Sequence, residues 1–466
     1  LFILKHKIVK FIYNHLCQRL WRSRLILAVF ILVLGLSACS KFVDLALPPD
    51  KIAAETVFAS DNSLISALNG VYGTISNSTD FITPAYFADE LTFVNASGST
   101  LDAQQNSYSA ETDYQYFTNY YRAIYEANAI LDALPKSTGL SAPVIAQARG
   151  ESLFLRAFAY FKLVNFYGTV PLIQSPDVAK SALKGNTSID SLYTAIIKDL
   201  TDADSLLTDT YPKSTRIRVN RGAVNALLAK VCLYRGNWPD AVSAATAVLN
   251  DPQYRLESDP NMVFKSGSPE TIWQLWNPNG YTSVAGTFVP VNTAAVFYRI
   301  RPGLIAAFEP GDLRLQDWIR QGTGEADTLY YPYKYRNKSL TTGTDAEYLV
   351  VSRLSEQYLI RAEALAQLDQ LSQSKADLDQ VRVRAGLDAV VASDKNALIS
   401  AIWKERQTEL MFENGDRWFD LNRTGRAASV LKAAKGSFPD YAVLLPFPTD
   451  ILLHNPNLNQ NEGYKK

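Results

Sequence analysis

The chain has 466 residues, 47% apolar and 20% charged, with 46 basic and 46 acidic side chains. That composition supplies a large core and lacks the basic excess that nucleic acid or an anionic membrane surface selects. The neutral total hides an asymmetry. Residues 1–38 hold six basic residues and no acidic one, so the remainder carries 40 basic against 46 acidic side chains, a net charge of −6.

Arg22-Ser23-Arg24 precedes an uncharged run from Leu25 to Leu36, followed by Ser37-Ala38-Cys39. A basic flank, a short apolar run and small residues describe a secretory signal over 1–38, too short to span a bilayer. Leu36-Ser37-Ala38-Cys39 reads as a lipobox, with Cys39 as the lipidated first mature residue. The alternative is an ordinary cleaved signal with an incidental cysteine. Ser40, not Asp, follows Cys39, which points to the outer membrane. Loss of the signal removes Cys17, His6 and His15. Cys232 is then the one thiol left beside the lipidated Cys39, so no disulfide is expected. His454 is the one remaining histidine, and the sequence has no GxSxG, GxGxxG or P-loop. Ser-His-Asp, Cys-His and HExxH zinc chemistry are thereby disfavoured, and neither cofactor nor metal is expected.

Pro48-Pro49 marks an extended tether. Asp61 or Ser63 can then cap a helix with Leu64, Ala67, Leu68 and Tyr72 on one side. Residues 81–113 lack clean periodicity and expose aromatics beside Asn, Asp and Ser, as a binding surface would. Further helices are expected over Tyr114–Leu134 and from Ala148 until Gly168 and Pro171 end the next one. Asn128 lies inside an apolar stripe and reads as a structural hydrogen-bonder. Ser188–Leu207 and Asn220–Leu249 are also helical, the latter hinged at Gly236-Asn237-Trp238-Pro239. Ala226, Ala229, Ala241 and Ala245 are small enough for close helix approach.

From Asp251 to Glu347 the stripes fade while Pro, Gly, Asn, Tyr and Trp accumulate. Short strands and long excursions are expected there, and loops of this length usually serve a function.

Arg353–Arg426 is the most ordered stretch of the text. Leu354, Tyr358, Ala362, Leu365 and Ala366 form one helical stripe, and Leu378, Val381, Ala385 and Leu387 a second. Ala362, Ala364, Ala366 and Ala376 are candidates for the close contact between these helices, with Gly386 as a left-handed helix end. This is a helix hairpin of the tetratricopeptide kind. A third helix, about Ala397–Phe412, carries Glu405 and Glu409 on one face. The pair could be a glycosidase acid and base. The better reading is an ion-pair network of Glu405, Arg406, Glu409, Arg417 and Asp420, because neighbouring Arg residues hold carboxyl pKa values down.

RLSEQYLIRAEALA, DLDQVRVRAGL and ERQTELMFENGDRWFDLNR closely resemble the C-terminal signature of the SusD/RagB family, with Gln407 and Asn414 as small departures. ARGESLFLRAFAYFKLVNFYGTVPLI and the closing NPNLNQNEGY resemble it too. The resemblance implies an outer-membrane lipoprotein that binds a nutrient and hands it to a SusC-like TonB-dependent transporter. The expected fold is mainly α, a degenerate tetratricopeptide-like solenoid of helical pairs with long irregular loops and few short strands. The expected organisation is a signal over 1–38, a helical region over 39–250 and a loop-rich, ligand-binding excursion over 251–347. A helical region and cap over 348–466 then pack with the first as one unit.

The implied activity is binding without chemistry, of an oligosaccharide, a polysaccharide or, as in some family members, a peptide. An extracellular glycosidase and a pure protein-interaction scaffold are the competing readings. Carbohydrate sites use an aromatic platform ringed by polar groups. The candidates are Phe93, Asn95 and Tyr108 from the first loop region and Trp276, Asn277 and Tyr281 from the second. Tyr298, Tyr330 and Tyr331 are further aromatics there. In IWQLW, alternation would turn Trp273 inward and Trp276 outward.

Overall fold

Ser60 opens helix α1 (Asp61–Ser78) through a reciprocal cap. Its hydroxyl accepts from the Ser63 amide, and the Ser63 hydroxyl accepts from the Ser60 amide. The cap is therefore one residue ahead of Asp61, which sits inside the first turn. The computed structural model describes residues 58–323, 329–392 and 394–464. The lipobox, Cys39 and the tether lie outside them.

Among the described residues, five more helices of twelve residues or longer follow in the first half: α2 (Tyr116–Ala133), α3 (Ala142–Tyr167), α4 (Ile189–Leu206), α5 (Arg221–Arg235) and α6 (Trp238–Leu249). Helix α3 is the hub. It packs against α1, α2, α4 and α5, and from Ala148 to Tyr167 nearly every side chain is buried, as in a helix enclosed on all sides. Arg156 crosses from α3 to hold Asp199 of α4 at 2.7 Å and the Asn128 side-chain oxygen of α2 at 2.7 Å. Asn128 in turn donates to the Ile173 carbonyl, the structural role its position suggested. Gly236 takes φ +68° between α5 and α6, and Pro239 opens α6.

Among the described residues, six short strands form three antiparallel pairs. Strand β1 (Leu91–Phe93) joins β3 (Tyr298–Ile300), β2 (Thr271–Leu275) joins β6 (Leu349–Arg353), and β4 (Ile319–Gln321) joins β5 (Tyr330–Pro332).

Strand β6 runs directly into α7 (Leu354–Gln367), which pairs with α8 (Leu371–Arg384). Gly386, at φ +78°, ends that hairpin. Then follow α9 (Lys395–Glu409), α10 (Asp416–Arg423) and α11 (Ala427–Lys435). Ala229, Ala241, Ala245 and Ala364 meet with Ile360 in one apolar cluster, which locks α7 onto the α5–α6 pair. Ala376 is exposed and takes no part. The C-terminal tail returns over the helices. Leu458 joins the main core, and the Asn461 amide donates to the Tyr167 and Leu445 carbonyls. The paired-helix theme thus recurs, and the fold is mainly α with few short strands.

A candidate ligand groove beside Trp276

Strand β2 carries the two tryptophans of IWQLW to different fates. Trp273 is 1% exposed and sits edge-on to Phe154, Phe158 and Tyr72. Trp276, just past the strand end, is 55% exposed. Alternation is not the cause, since both faces of β2 are covered and Thr271 to Leu275 are all buried. Trp276 is exposed because the strand stops before it. The Asn277 side chain accepts from the Asn279 amide, the Gly280 amide bonds back to the Asn277 carbonyl, and the turn is tied to the 341–347 segment by two backbone bonds. Gly280 has φ +65°, and a Cβ there would lie 1.8 Å from the Thr341 carbonyl oxygen, so this turn requires glycine.

Trp276 and Leu275 form one wall of a groove of about 380 Å3. Helix α1 forms another with Ile65, Asn69, Tyr72, Gly73 and Ser76, residues that share a face at helical spacing. Lys213, Ile217 and Arg218 close the third side. The floor is rigid. The Tyr72 hydroxyl donates to Glu151 at 2.6 Å and accepts from the Val219 amide. Arg218 binds the same carboxylate through Nε and Nη2, and Gln147 donates to it as well. Burial, with the Glu151 charge beside it, pushes the Tyr72 hydroxyl well above its ordinary pKa, so it stays a neutral donor. The site offers an aromatic face, apolar patches, one amide, the Tyr72 and Ser76 hydroxyls and two cationic side chains. Such a surface can stack on a sugar ring and reach its hydroxyls, and neither a carboxylate nor an imidazole lines it.

The other candidates do not gather there. Phe93 pairs with Tyr298 across β1 and β3, its ring 4.8 Å from Tyr298 and 6.5 Å from the exposed Phe297. Asn95 is exposed beyond the end of β1. This ribbon is a second aromatic surface and shares no lining residue with the groove. Asn277 and Tyr281 follow Trp276 round the turn without lining the groove. Tyr108 is a correction: it is buried, bonded to the Asn106 amide and packed edge-on against Phe87, so it is core and not platform. Tyr331 is buried as well. Sequence reading missed Ile65, Asn69, Lys213 and Arg218. The signal available was the partly polar second face of α1 and the basic run Lys213-Ser214-Thr215-Arg216-Ile217-Arg218.

Glu405 and Glu409 lie beneath neighbouring side chains, out of a substrate's reach. Arg314 bonds Glu405 at 2.6 Å, Glu409 at 2.8 Å and Asp312 at 2.8 Å. Arg353 and Arg384 also bond Glu409, and both reach Glu270. Arg353 and Lys334 hold Glu413. The expected network therefore exists with different partners: Arg406 serves Asp420, and Arg417 serves Asp89. Three converging guanidinium groups hold the Glu409 carboxyl well down despite its burial. Burial raises that of Glu405, against the pull of Arg314, so nearby arginines do not lower every carboxyl as expected. Glu90 differs again. It is buried with the Phe412 amide as donor, and burial, with Asp89 adding to it, pushes its carboxyl up to about 8. Among the described residues no group of side chains is arranged to hold a metal ion, and no helix is long and apolar enough to cross a membrane.

Two family models match the chain: one described as starch-binding and associating with the outer membrane, over residues 41–233, and the SusD family, over 314–464. A SusD-like protein of Formosa agariphila is 26% identical over 431 residues, covering 78% of this chain and 83% of the relative. Among solved structures, a laminarin-binding SusD-like protein is 25% identical with a TM-score of 0.76, covering 86% of this chain and 99% of its own. A SusD-like protein from Bacteroides fragilis is 21% identical with a TM-score of 0.78, covering 90% of this chain and all of its own.

Proposed function

The chain belongs to the SusD/RagB family, and from that premise we propose that it is a cell-surface lipoprotein that binds a nutrient glycan in the groove beside Trp276. It then passes the glycan to a SusC-like TonB-dependent transporter. One observation carries the site: a half-exposed indole at the rim of a 380 Å3 groove whose floor is locked by Tyr72, Glu151 and Arg218. A platform on a fixed floor binds without the entropy cost of ordering itself. The laminarin-binding relative supports the ligand class. The relatives are named for binding, and no carboxylate or imidazole lines the groove, which supports a reading of binding without turnover.

Trp276→Ala should weaken glycan binding by about ten- to a hundredfold, as loss of one stacked ring does. Its melting temperature should change little, because the indole covers little core. Titration calorimetry against a glycan panel tests this. Unchanged affinity, or a large stability loss with affinity retained in the folded fraction, would refute it. The anchor is a separate proposal. Cys39→Ala should abolish incorporation of a labelled fatty acid and release the protein from membranes, and label retained by the variant would end that claim.

A further inference from the structure

Charge distribution around the groove is unusual for this protein. Beyond residue 38 the chain is acidic overall, yet no Asp or Glu lines the groove. The segment on its third side, Lys213 to Arg218, carries three cations and no acid. Arg218 is matched by the buried Glu151. Arg216 is not matched by a carboxylate. Its guanidinium donates to the Ser268, Pro269, Thr271 and Gln253 carbonyls and lies over the Tyr211 and Tyr254 rings. Lys213 is exposed at the groove itself, and no carboxylate of the described residues lies within salt-bridge distance of it. In the lining itself, Lys213 and Arg218 against the one carboxylate of Glu151 leave a local excess of one positive charge where a sugar would stack.

We infer that the groove selects glycans bearing an anionic substituent, a uronate carboxylate or a sulfate ester, with Lys213 as the charge partner and Trp276 as the platform. The inference rests on the glycan-binding reading and deepens it. The physical reasons are two. A ring held on the indole presents its equatorial substituents sideways, and Lys213 and Arg218 rim the groove on the 213–218 side. An ammonium is a compact charge on a flexible stem, suited to either carboxylate or sulfate, whereas Arg218 is held in place by Glu151. A neutral glucan would gain the stacking and hydroxyl contacts but nothing from this excess charge, and the groove has no carboxylate to repel an acidic sugar.

The test is calorimetry on the purified protein with three probes: oligogalacturonate for carboxylate, a sulfated galactan oligosaccharide for sulfate, and laminarin oligosaccharide as the neutral arm. At least one acidic probe should bind more tightly than the neutral one and lose affinity as salt rises. Lys213→Gln should weaken the acidic probe about five- to tenfold, the worth of one charge-assisted contact at a partly exposed site. The neutral probe should lose less, because Gln keeps a hydrogen-bond donor for its hydroxyls. Lys213 is exposed, so the variant will fold, and its melting temperature confirms this. Equal binding of neutral and acidic probes, or Lys213→Gln without effect on the acidic one, overturns the inference while Trp276→Ala still upholds glycan binding. Failure of every probe to bind, or indifference to Trp276→Ala, overturns the glycan reading itself and the inference with it.

Discussion

Replacing Glu409 by Gln removes one negative charge from a point where three buried guanidinium groups meet, those of Arg314, Arg353 and Arg384. Gln keeps the shape and one acceptor oxygen. The cations keep only Asp312, Glu270, Glu405 and Glu413 as counter-charges. Removing one partner from a buried ion pair costs about 3–5 kcal/mol. The unit from Phe58 onward has roughly 400 residues, and at about 2.1 cal/mol/K per residue its unfolding entropy is about 0.85 kcal/mol/K. Glu409→Gln should therefore lower the melting temperature by about 4–6 °C at neutral pH. Glu405→Gln should cost less, because burial already raises that carboxyl and its ionised form contributes less to the fold. The pH dependence follows from sign. Glu409 is depressed in the folded state, so its contribution is present above the ordinary value of about 4.5 and is lost as pH falls below it. The gap between wild type and Glu409→Gln should narrow in acid. Calorimetric melts at neutral and acidic pH, beside glycan titrations, decide the matter. A Glu405→Gln penalty equal to or larger than that of Glu409→Gln would refute the reasoning. So would unchanged melting with abolished binding in Glu409→Gln, which would make the carboxylate functional.

Glu90 works the other way: its folded value of about 8 lies above the unfolded one, so its contribution is full below about 4.5 and is lost as pH rises towards 8. Glu90→Gln mimics the protonated form and should flatten the fall in melting temperature between about pH 5 and pH 8, the span those values bracket. Gly280→Ala should destabilise the protein by about 1–3 kcal/mol, since a Cβ collides with the Thr341 carbonyl oxygen in a left-handed turn. It should also weaken glycan binding by displacing Trp276, and wild-type melting and affinity in that variant would show the turn to be dispensable.

The helices were readable because their apolar residues recur at three and four, a purely local property. Leu378, Val381, Ala385 and Leu387 are buried as their spacing requires. The cap of α1 falls on Ser60, ahead of both expected candidates, Asp61 and Ser63, because all three are competent and only backbone geometry chooses among them. Ion-pair partners were beyond local reading. Glu409 takes its arginines from positions 314, 353 and 384 rather than from the adjacent Arg406. The site divided for the same reason. Phe93 and Trp276 looked alike as loop aromatics, but Phe93 was claimed by the register of β1 against β3, a pairing across 205 positions, Phe93 with Tyr298. Tyr108 was lost to the core because nothing near it in sequence announces Asn106 and Phe87 as partners.

The buried charges of the C-terminal half also bear on how the protein must be made. Glu270, Arg314, Lys334, Arg353, Arg384, Glu409 and Glu413 come from separate stretches of chain, and each becomes affordable in the interior only when the others have arrived. A partly assembled intermediate would strand bare ions away from water, so half-built forms are penalised and assembly is driven towards all-or-none. The stretch from α9 to Glu413 emerges last among these contributors, and a nascent chain lacking it cannot close this centre. A single concerted collapse once Glu409 and Glu413 are present is the assembly route such wiring suits. Fragments ending before residue 413 are correspondingly poor choices for expression.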